Sequence, residues 1–197
     1  MPKHNALLTN IAESSMLYYI TKDESYARYS ADVLWYYLSK ISKLTPQTTQ
    51  VMGDSFYDPR TCYNMLATTY DFIYNYLNSG KTEIYDVTSG NHIKYDDSVS
   101  QKAFANIVGN ILQEYGRPDK HGHIISNHPI LTAPGALYSI LCIEDDKERE
   151  RLFDVFWNKG TWHQSSFSAY HTSYVFQSGI WPESLSYSYM PNISFNS

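Results

Sequence analysis

A chain of 197 residues with 43% hydrophobic and 18% charged side chains is long enough for one domain that buries roughly 70% of the surface its unfolded form exposes. A net charge of −5 without a long run of either sign argues against recognition of a phosphate backbone, so no nucleic-acid partner is expected. No membrane span is expected either, since no stretch of eighteen apolar residues occurs.

The opening MPKHNALLTNIAESS lacks the uninterrupted apolar core of an export signal. Leu7, Leu8, Ile11, Met16, Leu17 and Ile20 fall near i, i+3, i+4 spacing and predict a helix over 5–20 with these residues on one face. The next helix begins in TKDE, with Thr21 as N-cap and Glu24 completing a capping box, and runs to about Ser42 through Ala27, Leu34, Leu38 and Ile41. In YDPRTCYNMLATTYDFIYNYLNSG the expected N-cap is Asp58, Pro59 is the first helical residue, and Gly80 follows an end near Leu77. Residues 81–96, KTEIYDVTSGNHIKYD, break the helical period and read as a long loop or a small hairpin. A fourth helix starts near Ser98 and stops before Gly116 and Pro118. ALYSILCI supplies a fifth, DDKERERLFDVFWNKG a sixth and WHQSSFSAYHTSYVFQSG a seventh.

Helices joined mostly by short turns predict an all-α fold of stacked helix hairpins in a bundle, a solenoid or an α/α toroid. Without a fixed-period repeat, a curved or toroidal array is favoured. The tail GIWPESLSYSYMPNISFNS is polar, aromatic and irregular, and the expectation is that the chain stops before the fold does. Cys62 and Cys142 form no CxxC or Cys/His cluster, and read as core thiols or a single disulfide. Nineteen tyrosines raise the aromatic share to 16%. Such rings, apolar in face and polar at the tip, suit both helix packing and stacking on sugars.

Two Asn-His pairs occur, Asn91-His92 and Asn127-His128, the second followed by Pro129 at the predicted head of a helix. A loop-to-helix junction can aim donors and side chains into a cleft. It can equally be a plain helix start, with Asn127 as cap and His128 hydrogen-bonded nearby. Trp181, Pro182, Glu183 and Tyr187 follow in a loop, where binding groups concentrate. Trp181 is either a sugar platform or a hydrophobic plug. His121, His123 and His128 lie within eight residues but lack the distant ligand and spacing of a zinc site, so no metal or other cofactor is expected.

SNHPILTAPGALY followed by WPESLSY resembles the heparinase II/III-like polysaccharide lyases and their alginate-lyase relatives. In those enzymes an Asn-His or similar pair opens one helix of an incomplete α/α toroid, and a Glu-x-x-x-Tyr element lies downstream. The tyrosine-rich helix LATTYDFIYNYL, 66–77, is also similar, and the likeness covers most of the chain. The resemblance implies an all-α, incomplete α/α toroid of stacked antiparallel helix hairpins, a single domain over 1–197. It is expected to be truncated relative to a full-length lyase, with the C-terminal β-sandwich absent.

The implied activity is β-elimination on an acidic, uronic-acid-containing polysaccharide of glycosaminoglycan or alginate type. Asn127 and His128 would neutralise the uronate carboxylate or abstract the C5 proton, and Tyr187 would serve as acid and base. Trp181, Glu183 and His123 would contact substrate, and the family places such enzymes in the periplasm or outside the cell. An acidic chain could still present a locally basic cleft through Arg60, Lys94, Arg117 or Lys120. Two other readings stand beside it. One is a non-catalytic carbohydrate-binding toroid fragment. The other is a uronide glycoside hydrolase, which would need a carboxylate partner for Glu183.

Overall fold

A computed structural model describes residues 2–48, 62–112, 128–161, 165–170 and 172. Within them the chain is all-α apart from one hairpin. The helices are α1 (Pro2–Thr21), α2 (Glu24–Ile41), α3 (Tyr63–Leu77), α4 (Asp97–Leu112), α5 (His128–Leu141), α6 (Asp146–Asp154) and α7 (Phe167–Tyr170). A 3₁₀ turn (Pro46–Thr48) follows α2, strands β1 (Glu83–Asp86) and β2 (Asn91–Lys94) lie between α3 and α4, and a π-helical turn (Val155–Lys159) extends α6.

Only Lys22 and Asp23 join α1 to α2. Asp23, with extended backbone, caps α2 by accepting from the Ser25 N–H at 2.9 Å. The expected cap, Thr21, instead finishes α1: its hydroxyl donates to the Leu17 carbonyl at 2.7 Å and accepts from the Asp23 N–H at 3.2 Å. The reason is that α1 runs on through Thr21, whereas an N-cap must already have left helical geometry.

Partners across α1 and α2 recede in step. Ser14 Oγ donates to the Tyr26 carbonyl at 3.1 Å, Ser30 Oγ to the Ile11 carbonyl at 3.1 Å, and His4 Nδ1 meets the Tyr37 hydroxyl at 2.7 Å. The two helices are therefore antiparallel, and they approach closely because Ser14, Ser15, Ala27, Ser30 and Ala31 are small and buried at the crossing. This explains a departure from the predicted face of α1. Leu8 and Ile11 are fully buried, but Met16, Leu17 and Ile20 are exposed, since the serines occupy the buried side of the second half.

α3 runs parallel to α1. Cys62 meets Asn5 at 3.3 Å, Thr9 meets Met65 at 3.5 Å, and the Tyr18 and Tyr76 rings lie 6.0 Å apart. α4 runs parallel to α2, with Trp35 beside Tyr95 and Asn106 bonded to the Ile41 carbonyl. α4 and α5 pack along their length, and Gln101, near the start of α4, bonds to the Cys142 carbonyl and the Glu144 N–H just past the end of α5. Their directions are thus opposed. α1, α3 and α5 form one layer and α2 and α4 the other, each helix packed against the next but one.

The second half of α4 is buried on all sides, from Asn106 to Leu112. Its two asparagines hold the exit of α2. The Asn106 amide donates to the carbonyls of Ile41 and Leu44, and Asn110 donates to that of Pro46, so α4 holds the last carbonyl of α2 and two carbonyls of the segment that follows it. α5 begins at His128, earlier than the ALYSILCI segment, and carries Pro134 inside it, where no backbone bond can be donated. Cys62 and Cys142 are both buried free thiols. The expected start of α3 at Asp58 and Pro59, and most of the seventh predicted helix, lie outside the described residues.

Candidate functional site

The end of the array where α1 and α3 finish and α4 begins carries two clefts. The first lies between α3 and the corner joining α5 to α6. It encloses about 460 Å³ and is lined by Tyr70, Asp71, Tyr74, Leu141, Cys142, Ile143, Glu144 and Arg149. A hollow of about 250 Å³ adjoins it at Ala67, Thr68 and Tyr138.

Behind its wall runs a tyrosine–carboxylate network. Tyr70 and Tyr95 both donate to Asp97 Oδ1, at 2.8 and 2.7 Å, and the Gln101 amide donates to the Tyr70 hydroxyl at 3.0 Å. Tyr95 also meets Ser100 Oγ at 2.8 Å, and Tyr74 donates to Glu144 Oε1 at 2.6 Å. Burial and these bonds together set the acidity of the phenols. Burial, with the Asp97 carboxylate adding to it, pushes Tyr70 far above its ordinary value, and burial raises Tyr95 as well. The bond to Glu144 pushes Tyr74 up to about 12. A phenol so held stays protonated at neutral pH and acts as a hydrogen-bond donor rather than a base. Arg149, the only cation lining the cleft among the described residues, is bound to Asp146 and to the Ile143 carbonyl. With Asp71 and Glu144 facing it, this cleft suits uncharged hydroxyls better than a carboxylate.

The second cleft, about 620 Å³, lies among α2, the end of α3 and the hairpin. The hairpin turns at Gly90, whose φ of 70° is left-handed and whose N–H bonds to the Asp86 carbonyl at 2.8 Å. Register places Tyr85 opposite His92 and Glu83 opposite Lys94, Ile84 enters the core, and the Tyr85 N–H donates to Asp32 Oδ1 at 2.8 Å. Burial raises the Asp32 carboxyl, a shift that the bond from Tyr85 and the nearby His92 and Arg28 partly oppose. Arg28, Lys81 and His92 line this cleft together with Glu24, Asp32 and Glu83.

Of the residues singled out in the sequence, His128 is the first residue of α5. The fourteen residues of α5 span about 20 Å, so its head lies at the opposite end of that helix from Cys142 and the first cleft. Asn127, His123, Trp181, Glu183 and Tyr187 lie outside the described residues, as do His121, Arg60, Arg117 and Lys120. Lys94 does not line the second cleft. The cations that do were missed, because only the pairing of β2 onto β1 and of β1 onto α2 brings His92 near Arg28. No three His, Cys, Asp or Glu side chains among the described residues are grouped to hold a metal ion, and no described helix is long and apolar enough to cross a membrane.

No protein-family profile matches the chain, and no solved structure matches it. The chain is similar to an endo-acting ulvan lyase of Formosa agariphila, with 56% identity over 191 residues. That alignment takes in 97% of this chain and 23% of the relative, so the chain spans about a quarter of the length of the curated protein it matches.

Proposed function

We propose that this chain is part of a polysaccharide lyase that cleaves a uronic-acid polysaccharide by β-elimination, and that ulvan is the first substrate to test. The observation that carries this reading is the 56% identity, maintained over 97% of the chain, to an endo-acting ulvan lyase. Support comes from the two-layer order of the helices, in which alternate helices are neighbours and successive ones are antiparallel. An incomplete α/α toroid of the heparinase II/III-like kind has this order.

Elimination must neutralise the uronate carboxylate, remove the C5 proton and protonate the departing C4 oxygen. In this proposal Asn127 donates its amide to the carboxylate, and His128, at the head of α5, shares that task or takes the proton. Its reference pKa of about 6.5 suits a base near neutrality. Tyr187 protonates the leaving oxygen. It can also act as base where nearby donors lower its pKa, since a free phenol is only about 0.1% ionised at pH 7. The four described tyrosines with resolved shifts, Tyr37, Tyr70, Tyr74 and Tyr95, all move the other way, which leaves the basic role to a tyrosine elsewhere. Fixed donors facing the enolate-like intermediate supply the largest part of the acceleration. Trp181, Glu183 and His123 hold the polymer, none of these steps requires a metal, and the protein works in the periplasm or outside the cell.

The test is ultraviolet absorbance of the unsaturated uronate product. The purified chain and its Tyr187→Phe variant are incubated with ulvan, heparan sulfate, chondroitin, hyaluronan and alginate. Signal from the parent that disappears in a folded variant supports the lyase and names its substrate. A folded parent that retains polymer without releasing product favours a binding fragment whose catalytic set is completed by sequence beyond this quarter of the relative.

A further inference from the structure

The cleft among α2, the end of α3 and the hairpin is not absorbed by that chemistry. Its nitrogen donors come from three separate elements: the cations Arg28 from α2 and Lys81 from the turn after α3, and the His92 imidazole from β2. Among the described residues, the Arg28 guanidinium, the Lys81 ammonium and the His92 imidazole make no hydrogen bond or ion pair, although three carboxylates line the same cleft. Asp32 is already engaged by the Tyr85 N–H. Elsewhere the protein pairs its cations readily, as Arg149 with Asp146, Arg151 with Glu148 and Lys159 with Asp154. Two cations without hydrogen-bond partners among the described residues, lining one cleft with tyrosine and hydroxyl groups, are suited to an anion that also carries hydroxyls.

We infer that this cleft is a second binding site for anionic sugar units, where Arg28, Lys81 and His92 meet the acidic groups of the polymer. The inference rests on the proposed function for the class of polymer and for the place of the cut. The site lies at the finishing end of α3, whereas His128 heads the parallel helix α5. A chain bound here is therefore held away from the bond being cut, and the site's contribution is retention of polymer rather than chemistry.

The experiment is affinity electrophoresis of the intact chain through native gels containing ulvan, alginate or neutral dextran, with turnover measured on the same preparations. The parent should be retarded by an acidic polymer and not by dextran. The double variant Arg28→Gln, Lys81→Gln should lose affinity about a hundredfold, about tenfold for each charge-assisted hydrogen bond. Glu24→Gln, which removes an opposing charge, should act in the other direction. Thermal melting checks the fold of each variant, and Lys81→Gln alone, at an exposed turn, carries the test if the double variant melts early. A parent that neither acidic polymer retards, or folded variants retarded like the parent, overturns the inference. Arg28-dependent retardation without turnover leaves it standing and favours a binding fragment over a chain that is a lyase by itself, while turnover with unaltered retardation overturns it and leaves the lyase reading.

Discussion

Replacing Tyr70 with Phe isolates the network behind the first cleft. Tyr70 is 2% exposed, so the ring stays packed against Phe104 at 5.0 Å and only the hydroxyl is lost. Two bonds go with it, the donation to Asp97 at 2.8 Å and the acceptance from Gln101 at 3.0 Å. The Gln101 amide keeps the Cys142 carbonyl at 3.1 Å, and Asp97 keeps the Tyr95 hydroxyl at 2.7 Å, so neither partner is stranded. A hydrogen bond to a charged group contributes ~1.5–3 kcal/mol. Asp97 is half-buried and can take water in exchange, which places the expected loss at the lower end, about 1.5–2 kcal/mol. For a chain of this size that lowers Tm by roughly 3–8 °C. Urea unfolding followed by circular dichroism measures it, with Tyr74→Phe as comparison. Tyr74 also donates to a carboxylate, but the pair is exposed, so its loss should stay within about 0.5 kcal/mol. A Tyr70→Phe variant as stable as the parent, or a Tyr74→Phe variant equally damaged, would refute the claim that burial makes this network matter.

Three further outcomes follow from particular contacts. Burial raises the Asp32 carboxyl above the ordinary 3.8, so the folded chain holds that proton more tightly than the unfolded one; stability should fall as pH rises from 3.8 through the raised value. Asp32→Asn can still accept from the Tyr85 N–H and should lack this fall, and parallel urea-midpoint profiles for parent and variant across that interval would count against it. Asp23→Ala should lower Tm as the lost cap of α2, and Thr21→Val should lower it less; the reverse order in thermal melts would restore Thr21 as the cap. Cys62 and Cys142 are buried, and burial pushes the Cys142 thiol up, so iodoacetamide should modify neither until urea unfolds the chain. Native-state alkylation at the rate of a free thiol would contradict that packing.

Helices with apolar residues at regular spacing were legible, as were Gly80, Gly90 and the hairpin, because period and left-handed glycine are local properties of the chain. What stayed hidden depends on partners distant in sequence. Thr21 and Asp23 are both good caps by residue type, and only the extent of α1 decides between them. The second half of α1 reads as an apolar stripe, yet Ser14 and Ser15 face inward because α2 approaches too closely for larger side chains. Asn106 and Asn110 look like polar interruptions of α4 until the carbonyls leaving α2 are placed against them. The same holds for function. Asn127-His128 could be noticed as a pair at a helix head, and α5 does begin at His128. Asn91-His92 was equally visible as a pair, but its neighbours Arg28 and Lys81 are supplied by other elements.

An acidic chain that retains an acidic polymer requires its charge to act locally, and the geometry of the second cleft meets that requirement. At physiological ionic strength charges are screened beyond about 8 Å, so a polymer at the cleft responds to the few groups lining it rather than to the net −5. Two cations, Arg28 and Lys81, and the His92 imidazole line it beside three carboxylates. Engagement differs among them: Asp32 accepts from the Tyr85 N–H, while the Arg28 and Lys81 side chains make no hydrogen bond or ion pair among the described residues. Counterion release makes such binding weaken with added salt in proportion to the contacts made. Retention by ulvan or alginate should therefore decline steeply with salt in the parent and more shallowly once Arg28 and Lys81 are neutral. Equal slopes would mean that the polymer is held by a surface other than this one.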